Sequence, residues 1–375
     1  MNTIGVRTQP WAFISNMFPS AGDISYGAFV QRNLEDLLAL GFRIDIKVLI
    51  RGRHSGSQRL MAYITHYMRL AKLLAQPSVH HWYMHYASHH CLLPALGAYL
   101  QNKQIVVNIH GDDLALSRAS FYRRIMSIGQ SLLLHRARLI VVPSLYFKEL
   151  TLHLYPKIAA ERIVVSPSGG IDYLNLCAAT AMRNPFWAQK HSSRIAEIGY
   201  IGRIDADKGW EALFDAFDEL PGSVRDRARL YFWGEGQDSP QLRARIAARG
   251  DERVVYYGAI HHSELPSAHA QFDFQVVPSH RESLGLAALE GMGAGHVLIC
   301  RAIRPFTDMT KHGISALHFG SNRNQDLGRV LRAALQQTDQ MLAAIATEGR
   351  LIAGAFDRRA VATELAHQID SHLLE

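Results

Sequence analysis

The fold is decided by residues 278–295, PSHRESLGLAALEGMGAG. An apolar run at 272–277 precedes this stretch and predicts a buried strand of an α/β sheet. The Pro-Ser pair at its start is typical of a turn, and the leucines and alanines that follow predict a short helix, which the glycines can end. Glu282 is therefore expected in the strand-to-helix loop, and Glu290 is expected inside the helix.

A loop of this kind is suited to a bound phosphate. Backbone amides at a helix start lack intrahelical acceptors and carry about half a positive charge. The expected donors are the amides of Ser283, Leu284, Gly285 and Leu286. Because a carboxylate is a poor neighbour for a phosphate, the two glutamates are better interpreted as acceptors for hydroxyl groups, such as those of a sugar or a ribose.

Length and composition indicate a folded chain with two or three domains. The 375 residues are 48% hydrophobic and 19% charged, which suffices for several cores. No apolar run approaches the roughly 18 residues of a membrane span, and the first residues lack the apolar centre of a signal peptide. The three cysteines are widely spaced, which indicates a reducing cytoplasm and neither a disulfide nor a zinc framework.

Charge is distributed unevenly along the chain. Residues 1–185 contain 19 Lys and Arg against 9 Asp and Glu, whereas the remainder contains 21 against 24. The basic half indicates an anionic partner, for which nucleic acid, anionic lipid and a diphosphate-linked acceptor all fit. Two basic stretches with helical apolar patterns, 52–76 and 118–138, predict either surface helices with core-facing sides or a monotopic membrane face.

Histidines cluster between residues 80 and 90. At helical spacing, His81, His85 and His89 would form a metal-binding face. The alternating, aromatic-rich pattern of 78–86 instead predicts a strand, in which positions four apart are about 13 Å distant. We therefore expect no metal site here.

Two further segments place polar side chains at strand ends. A strand predicted at 104–109 ends in His110-Gly111-Asp112-Asp113, and the carboxyl end of a strand is where an open α/β sheet binds ligands. The alternative for the aspartates is a capped turn. In residues 195–210, IAEIGYIGRIDADKGW, a strand delivers Arg203 and a turn delivers Lys208 beside a helix start, so that two cations and free amides can converge on one diphosphate.

These elements together resemble the retaining GT-B glycosyltransferases, in particular family 4, also called glycosyl transferases group 1. Glu282 and Glu290, eight residues apart around Ser-Leu-Gly-Leu, look like the Glu-x7-Glu motif of that family. The segment that contains Arg203 and Lys208 resembles its Gly-Arg…Lys-Gly element. His110 begins a segment similar to its His-Gly-Ser-Asp motif, whose histidine lies against the donor sugar.

The resemblance also implies roles for four less distinctive residues. Gly27 and Asp112 would border the cleft, although the segment GDISYGAF lacks the adjacent glycine pair often seen in the family. Asp172 ends the segment SPSGGID, which resembles the Asn-Gly-Val-Asp close of the family's N-terminal domain, and would also border the cleft. Backbone near Gly258 would contact the nucleobase.

The fold implied by the resemblance is α/β, with two Rossmann-like domains facing across a cleft (GT-B). The expected domains are an acceptor-binding domain at 1–185, a nucleotide-sugar-binding domain at 186–355, and a helix at 356–375 that crosses back to the first domain. Periodicity is lost between about 177 and 193, which predicts the linker.

The implied activity is transfer of a sugar from a UDP- or GDP-linked donor to a glycan or lipid-linked acceptor, with retention of configuration, in exopolysaccharide or lipopolysaccharide biosynthesis. His110 and Glu282 would act at the donor sugar. Arg203, Lys208 and the helix amides would stabilise the leaving diphosphate, so that neither a metal nor another cofactor is needed.

The expected location is the cytoplasm, peripherally on the inner face of the cytoplasmic membrane. Two alternatives stay open, a GT-B sugar-nucleotide epimerase and a non-catalytic binder of nucleotide sugars or nucleic acid. No recognisable nucleic-acid motif supports the last, and we expect no nucleic-acid partner.

Overall fold

The computed structural model describes residues 4–23, 26–88, 90–111, 113–114, 121–182, 185–188, 195–320 and 325–374. Within these ranges, the side chains of residues 4, 121–126, 186 and 325 lie outside the description. The chain forms two compact units. The first unit consists of Met1–Gly170 with Arg359–Glu375, and the second of Ile171–Arg358.

The first unit is built on a six-stranded parallel sheet with the strand order β2-β1-β3-β4-β5-β6. Its inner strands are largely buried on both sides, as expected for a sheet covered on both faces. The strands are β1 Trp11–Phe18, β2 Ile44–Arg51, β3 His81–His85, β4 Gln104–Asn108, β5 Leu139–Val142 and β6 Ile163–Val165.

Helices cover both faces of this sheet because each has one apolar side. α3, α4, α5 and α6 share a core with one face, whereas α2 packs against the other. The bounds are α1 Ile4–Arg7, α2 Ala28–Ala39, α3 Gly56–Leu74, α4 Leu92–Leu100, α5 Phe121–Arg136 and α6 Leu145–Leu154.

The second unit repeats the architecture with the strand order β12-β11-β10-β7-β8-β9, again with parallel pairs. Its largest core contains buried aromatic side chains from the sheet and from the helices on one face. The strands are β7 Ala196–Ile201, β8 Ala228–Trp233, β9 Val254–Gly258, β10 Phe274–Val277, β11 Val297–Arg301 and β12 Leu317–Phe319.

The helices of the second unit are α7 Tyr173–Thr180, α8 Trp210–Asp218, α9 Gly222–Arg225, α10 Ser239–Arg249, α11 Leu265–His269, α12 Leu286–Gly293, α13 Phe306–Met309, α14 Gln325–Leu335 and α15 Asp339–Gly354. Most of them lie between successive strands, as the alternation of apolar runs and helical patterns predicts, whereas α7 precedes β7 and both α14 and α15 follow β12. The expectation of two Rossmann-like α/β units is confirmed.

The C-terminal helix α16, Arg358–Leu374, packs in the first unit. Leu365 and Ile369 belong to the same core as α2, and Asp370 accepts a hydrogen bond from Nε of Arg7 at 2.8 Å. Among the described residues, no helix combines the length and apolar character that a membrane span requires.

The units divide after Gly170 instead of after residue 185. The backbone of Ile171 exchanges hydrogen bonds with Phe356 and Arg358, both at 2.9 Å, and Leu176 of α7 is buried in a core of the second unit. The sequence predicts the linker where the hydrophobic periodicity is lost, at about 177–193. Tertiary packing instead places α7, which precedes most of that segment, in the second unit.

In each sheet the chain reverses the direction in which it adds strands, between β1 and β3 in the first unit and between β7 and β10 in the second. The loops at the carboxyl ends of such a strand pair diverge and leave a crevice, where open α/β sheets bind ligands. These two points locate the candidate sites.

Candidate functional site

The strand reversal between β7 and β10 joins two of the residues singled out in the sequence. The loop after β7 contains a 3-10 turn, Ala206–Lys208, and the loop after β10 leads to α12. Nζ of Lys208 donates a hydrogen bond to Oε1 of Glu282 at 2.7 Å. The backbone N–H of His280 donates to the carbonyl oxygen of Asp207 at 2.9 Å. The two loops therefore form one structure, although Lys208 and Glu282 are far apart in sequence.

The loop after β10 is held in place at Pro278, which Gly209 and Arg301 contact from two sides. Gly209 has a φ of 70°, and a Cβ added to it would overlap the carbonyl oxygen of Pro278. From the neighbouring strand β11, Nε of Arg301 donates to the same oxygen at 3.2 Å. Arg301 is only 1% exposed, and its guanidinium lies 4.9 Å from the ring centre of Phe319. A glycine and a buried arginine thus set the loop that carries Glu282.

Arg203 follows β7 and is half-exposed. Its guanidinium forms an ion pair with Asp205 and lies 3.5 Å from Oδ2 of Asp207. The hydroxyl of Tyr200 donates to the carbonyl oxygen of Arg203 at 2.6 Å. The pKa of this phenol is raised, mainly by burial and secondly by the nearby negative charge of Glu282. Each cation of the site therefore has a carboxylate partner, which the sequence pattern did not indicate.

Gly285 defines the start of α12. It is the N-cap with a φ of 90°, and a Cβ there would overlap the ring of Phe306. Its carbonyl oxygen accepts hydrogen bonds from the backbone N–H groups of Ala288 at 3.0 Å and Leu289 at 3.2 Å. Only a glycine fits this position, because it combines left-handed backbone with a close aromatic neighbour.

The free amides of α12 differ in part from those expected. Because the helix begins at Leu286 and the N–H of Ala288 already donates to Gly285, the N–H groups at the helix start without an intrahelical acceptor are those of Gly285, Leu286 and Ala287, whereas Ser283 and Leu284 precede the helix. The side chain of Leu284 is 2% exposed and belongs to the core. Glu290 lies in the helix, as expected, and is 8% exposed.

Gly258 is the last residue of β9 and therefore lies, like the residues above, at the carboxyl ends of the strands of the second sheet. Its carbonyl oxygen accepts from the N–H of Gly234 at 2.7 Å, and the N–H of Gly202 donates to Trp233 at 3.0 Å. Gly234 has a φ of 129°, and a Cβ on it would overlap the carbonyl oxygen of Gly202. The ring of Tyr257 stacks on Trp233 with centroids 4.2 Å apart. Close backbone contacts thus connect the ends of β7, β8 and β9.

Asp172 lies in the second unit, and the expectation that it closes the first domain is wrong in this respect. Its Oδ2 lies 2.8 Å from Nε2 of His262, and its Oδ1 lies 3.9 Å from Nη1 of Arg358. The carboxylate therefore takes part in contacts within the second unit.

The candidate site of the first unit centres on His110, which follows β4. Its Nε2 lies 2.7 Å from Nδ1 of His85, and the two rings are stacked with centroids 5.0 Å apart. Burial lowers the pKa of His110 to about 3, so the ring is neutral at pH 7. His81 and His85 lie at the two ends of strand β3, as expected, and His89 lies outside the described residues.

The turn after β4 is capped by Asp113. Its Oδ1 accepts hydrogen bonds from the N–H groups of Gly111 at 2.7 Å and His110 at 3.0 Å. Burial raises the pKa of Asp113 to about 6, and the hydrogen bonds from backbone N–H groups oppose that shift. Asp113 thus holds the turn through the residues that precede it, whereas the N-cap expected as the alternative would involve residues 115 and 116, which with Asp112 lie outside the described residues.

Gly27 is the N-cap of α2, with a φ of 75°. A Cβ on it would lie 2.8 Å from Cγ of Met17, so a glycine is required for α2 to start close to the end of β1. Backbone geometry alone therefore accounts for a glycine at position 27.

Comparison with known proteins supports the fold and shows which family the second unit resembles. Residues 185–351 match the family model described as glycosyl transferases group 1. The 2-deoxystreptamine glucosyltransferase of Streptomyces kanamyceticus is 28% identical over 172 residues, which are 45% of this chain and 44% of that protein. The chain thus spans less than half the length of this curated relative.

Solved structures resemble the whole chain at low identity. Anabaena Alr3699/HepE in complex with UDP superposes with a TM-score of 0.72 at 17% identity, covering 97% of this chain and 100% of that one. The lipopolysaccharide outer core galactosyltransferase WaaB, in its apo form, gives 0.66 at 14% identity, covering 97% and 99%. The fold is therefore GT-B, with two Rossmann-like domains, as the sequence predicted.

Proposed function

We propose that this chain is a retaining glycosyltransferase of family 4 that transfers a sugar from a nucleotide-diphosphate donor to an acceptor. The observation that carries the proposal is the Lys208–Glu282 pair beside the start of α12, at the strand reversal of the second sheet and inside the segment matched by the family model. UDP is the first nucleotide to test because the Anabaena relative is solved with UDP. GDP is the second.

In the proposed reaction, the bond between the anomeric carbon and the diphosphate oxygen breaks while the acceptor oxygen attacks the same face. The acceptor proton passes to the leaving phosphate. Lys208, Arg203 and the amides of Leu286 and Ala287 stabilise the negative charge on the diphosphate, so the reaction proceeds without a metal. Arg203 and Lys208 exchange part of their contact with carboxylates for contact with phosphate.

The remaining polar residues take positioning roles. Glu282 accepts hydrogen bonds from hydroxyls of the donor sugar, and Glu290 from those of the ribose. Backbone near Gly258 meets the base. His110 keeps the role that the resemblance implies, a contact with a hydroxyl of the donor sugar.

We further propose that the acceptor is lipid-linked and that the first unit docks on an anionic membrane surface, on the cytoplasmic side. The sequences of α3, α4 and α5 contain no Asp or Glu, and the three helices pack on the same face of the sheet. α3 and α4 expose large apolar side chains at helical spacing. These are Leu60, Met61, Ile64, Met68, Leu92, Leu96, Tyr99 and Leu100.

Basic residues flank this surface, among them the exposed Arg59, Arg69 and Lys72 of α3. An apolar stripe with basic neighbours suits an anionic lipid surface, where each basic residue contributes roughly 1 kcal/mol. Biosynthesis of exopolysaccharide or lipopolysaccharide is the process that fits such an acceptor, and the WaaB neighbour acts on lipopolysaccharide outer core.

The transfer proposal is tested by incubating the protein with UDP- and GDP-sugars and candidate acceptors, with and without EDTA. We expect transfer of one sugar, unchanged by EDTA, with a product whose anomeric configuration by NMR equals that of the donor. Inversion would refute retention, and loss of activity with EDTA would refute the metal-free mechanism. Equal activity of Lys208→Met would refute the site.

The docking proposal is tested by flotation with vesicles containing anionic lipid. A variant with Ile64→Ser and Met68→Ser is expected to lose binding, whereas Leu38→Ser, an exposed leucine of α2 on the opposite face, is expected to keep it. Equal binding to neutral vesicles would refute the preference for anionic lipid. Equal binding of the two variants would refute docking through α3.

A further inference from the structure

A chain of hydrogen bonds runs through the first unit to His110. Nδ2 of Asn108 donates to the hydroxyl oxygen of Tyr83 at 2.9 Å, and the side chain of Asn33 lies beside that hydroxyl. Nε2 of His85 lies 3.0 Å from Oδ1 of Asn33, and Nδ1 of His85 lies 2.7 Å from Nε2 of His110. Strand register produces part of this order, because His85 pairs with Asn108 between β3 and β4.

All members before His110 are buried. Tyr83 and His85 are fully buried, and Asn33 is 7% and Asn108 8% exposed. Buried polar groups of this kind keep their hydrogen bonds because a lost partner costs about 1–3 kcal/mol. This series of hydrogen-bonded side chains is thus a rigid element of the fold.

The direction of each bond follows from the chemistry of the groups. The atom of Asn33 that faces His85 is the amide oxygen Oδ1, which can only accept, so Nε2 of His85 carries the proton. A neutral imidazole with a proton on Nε2 has a lone pair on Nδ1. Nδ1 of His85 therefore accepts, and Nε2 of His110 donates. This leaves the lone pair of His110 on its Nδ1.

The ring of His110 is also fixed in orientation. Phe29 lies 4.6 Å and Tyr86 5.3 Å from it, measured between ring centroids. Burial lowers the pKa of His85 well below its usual value and that of His110 to about 3, which keeps both rings neutral. None of the described residues donates a hydrogen bond to Nδ1 of His110, and the residue as a whole is half-buried.

We propose that Asn33 and His85 are positioning residues that hold His110 as a hydrogen-bond acceptor through Nδ1, so that the group recognised there is a hydroxyl of the substrate and not an anionic oxygen. An anionic oxygen has no proton to donate, and its charge would face the lone pair. A hydroxyl satisfies the acceptor. The identity of the hydroxyl as one of the donor sugar rests on the proposed function, whereas the proton position does not.

The proton position is tested by NMR of the full-length protein with 15N-labelled histidine at neutral pH. We expect His110 and His85 to show Nε2–H and an unprotonated Nδ1, with assignments from His85→Phe and His110→Phe. An Nδ1–H form or an imidazolium at His110 would overturn the inference. This readout needs no substrate, so it stands even if no nucleotide sugar is transferred.

The role of Asn33 is tested by a matched pair of variants. Asn33→Leu removes the acceptor at similar volume and is expected to give a mixture of proton positions at His110. Asn33→Gln keeps an uncharged amide oxygen that can reach His85 and is expected to keep Nε2–H. If Asn33→Leu folds, with a circular dichroism spectrum like that of the wild type, and leaves His110 unchanged, the relay is refuted.

Substrate recognition is tested with deoxy-sugar donors. For wild type, removing the hydroxyl that meets His110 is expected to lower kcat/KM about tenfold, the effect of one lost hydrogen bond. In His110→Phe the deoxy and parent donors are expected to react equally. A deoxy effect of the same size in His110→Phe for every hydroxyl would overturn the assignment, while the NMR result would remain valid.

Discussion

The Lys208–Glu282 pair allows stability and catalysis to be separated by experiment. The side chains are 19% and 16% exposed, and Nζ lies 2.7 Å from Oε1. Replacing Lys208 by Met leaves the carboxylate of Glu282 partly buried without this partner. Replacing Glu282 by Gln leaves the ammonium in the same position.

The expected cost follows from this geometry. Removing one member of a charge-assisted hydrogen bond costs about 1.5–3 kcal/mol, and less is lost here than in a fully buried pair because both groups reach water. For a unit of this size, about 2 kcal/mol lowers Tm by roughly 4–8 °C. In Lys208→Met with Glu282→Gln no charge is left unpaired, so most of the lost stability returns.

Activity is expected to behave differently. If Lys208 stabilises the leaving diphosphate, its loss lowers kcat by about 10²–10³, and the double variant does not recover. The measurements are thermal unfolding and transfer rates for the wild type, both single variants and the double variant. Asp215→Asn serves as the control, because its 2.6 Å pair with Arg245 is more exposed and costs about 1 kcal/mol or less.

Two results would refute the reasoning. Recovery of transfer in the double variant would mean that Lys208 acts only as the structural partner of Glu282. Full stability in both single variants would mean that the pair is screened by water, as exposed pairs are.

Three further predictions concern the same unit. Gly209→Ala is expected to destabilise by about 1–3 kcal/mol and to lower activity, because a Cβ meets Pro278 in left-handed backbone, whereas Gly222→Ala, with open space around it, should change Tm little. Arg301→Met is expected to raise KM for the donor more than it lowers kcat, as measured by initial rates, because the loop loses its bond at Pro278; unchanged kinetics would contradict this. His269, fully buried with its pKa lowered to about 3, binds a proton only after unfolding, so stability should rise with pH between about 3 and 6.5, and His269→Phe should flatten this slope in denaturant titrations. An unchanged slope would contradict the assignment.

Much of the fold was predictable because its signals are local. The strand at 274–277 belongs to a short apolar run that ends at a proline. The helix after it begins at a glycine, which permits the left-handed backbone of the N-cap. Glu282 and Glu290 were placed correctly in loop and helix for the same reason. The start of α12 was misplaced by two residues, since apolar residues such as Leu284 serve the core as well as a helix.

Contacts between distant segments were not predictable in this way. The spacing of His85 suggests only a possible metal ligand, and no residue near it in the sequence indicates that Asn33 is its hydrogen-bond partner. The counter-charges of Arg203 lie close in sequence, but spacing alone does not say whether a loop aspartate turns toward the guanidinium or toward water. Local sequence places Asp172 in the first unit, because the residues that pair with its neighbour Ile171, at 356–358, come from the far end of the second unit.

By itself, the sequence determined the two α/β halves, the strand and helix positions around 278–295, and which residue types stand at strand ends, since each of these depends on periodicity and on backbone preferences within a few residues. Only the tertiary structure decided that Lys208 meets Glu282, that Arg301 holds Pro278, and that Asn33 and His85 orient His110. The physical reason is that strand order brings these side chains together. Strand order depends on the packing of whole faces, which no short stretch of sequence contains.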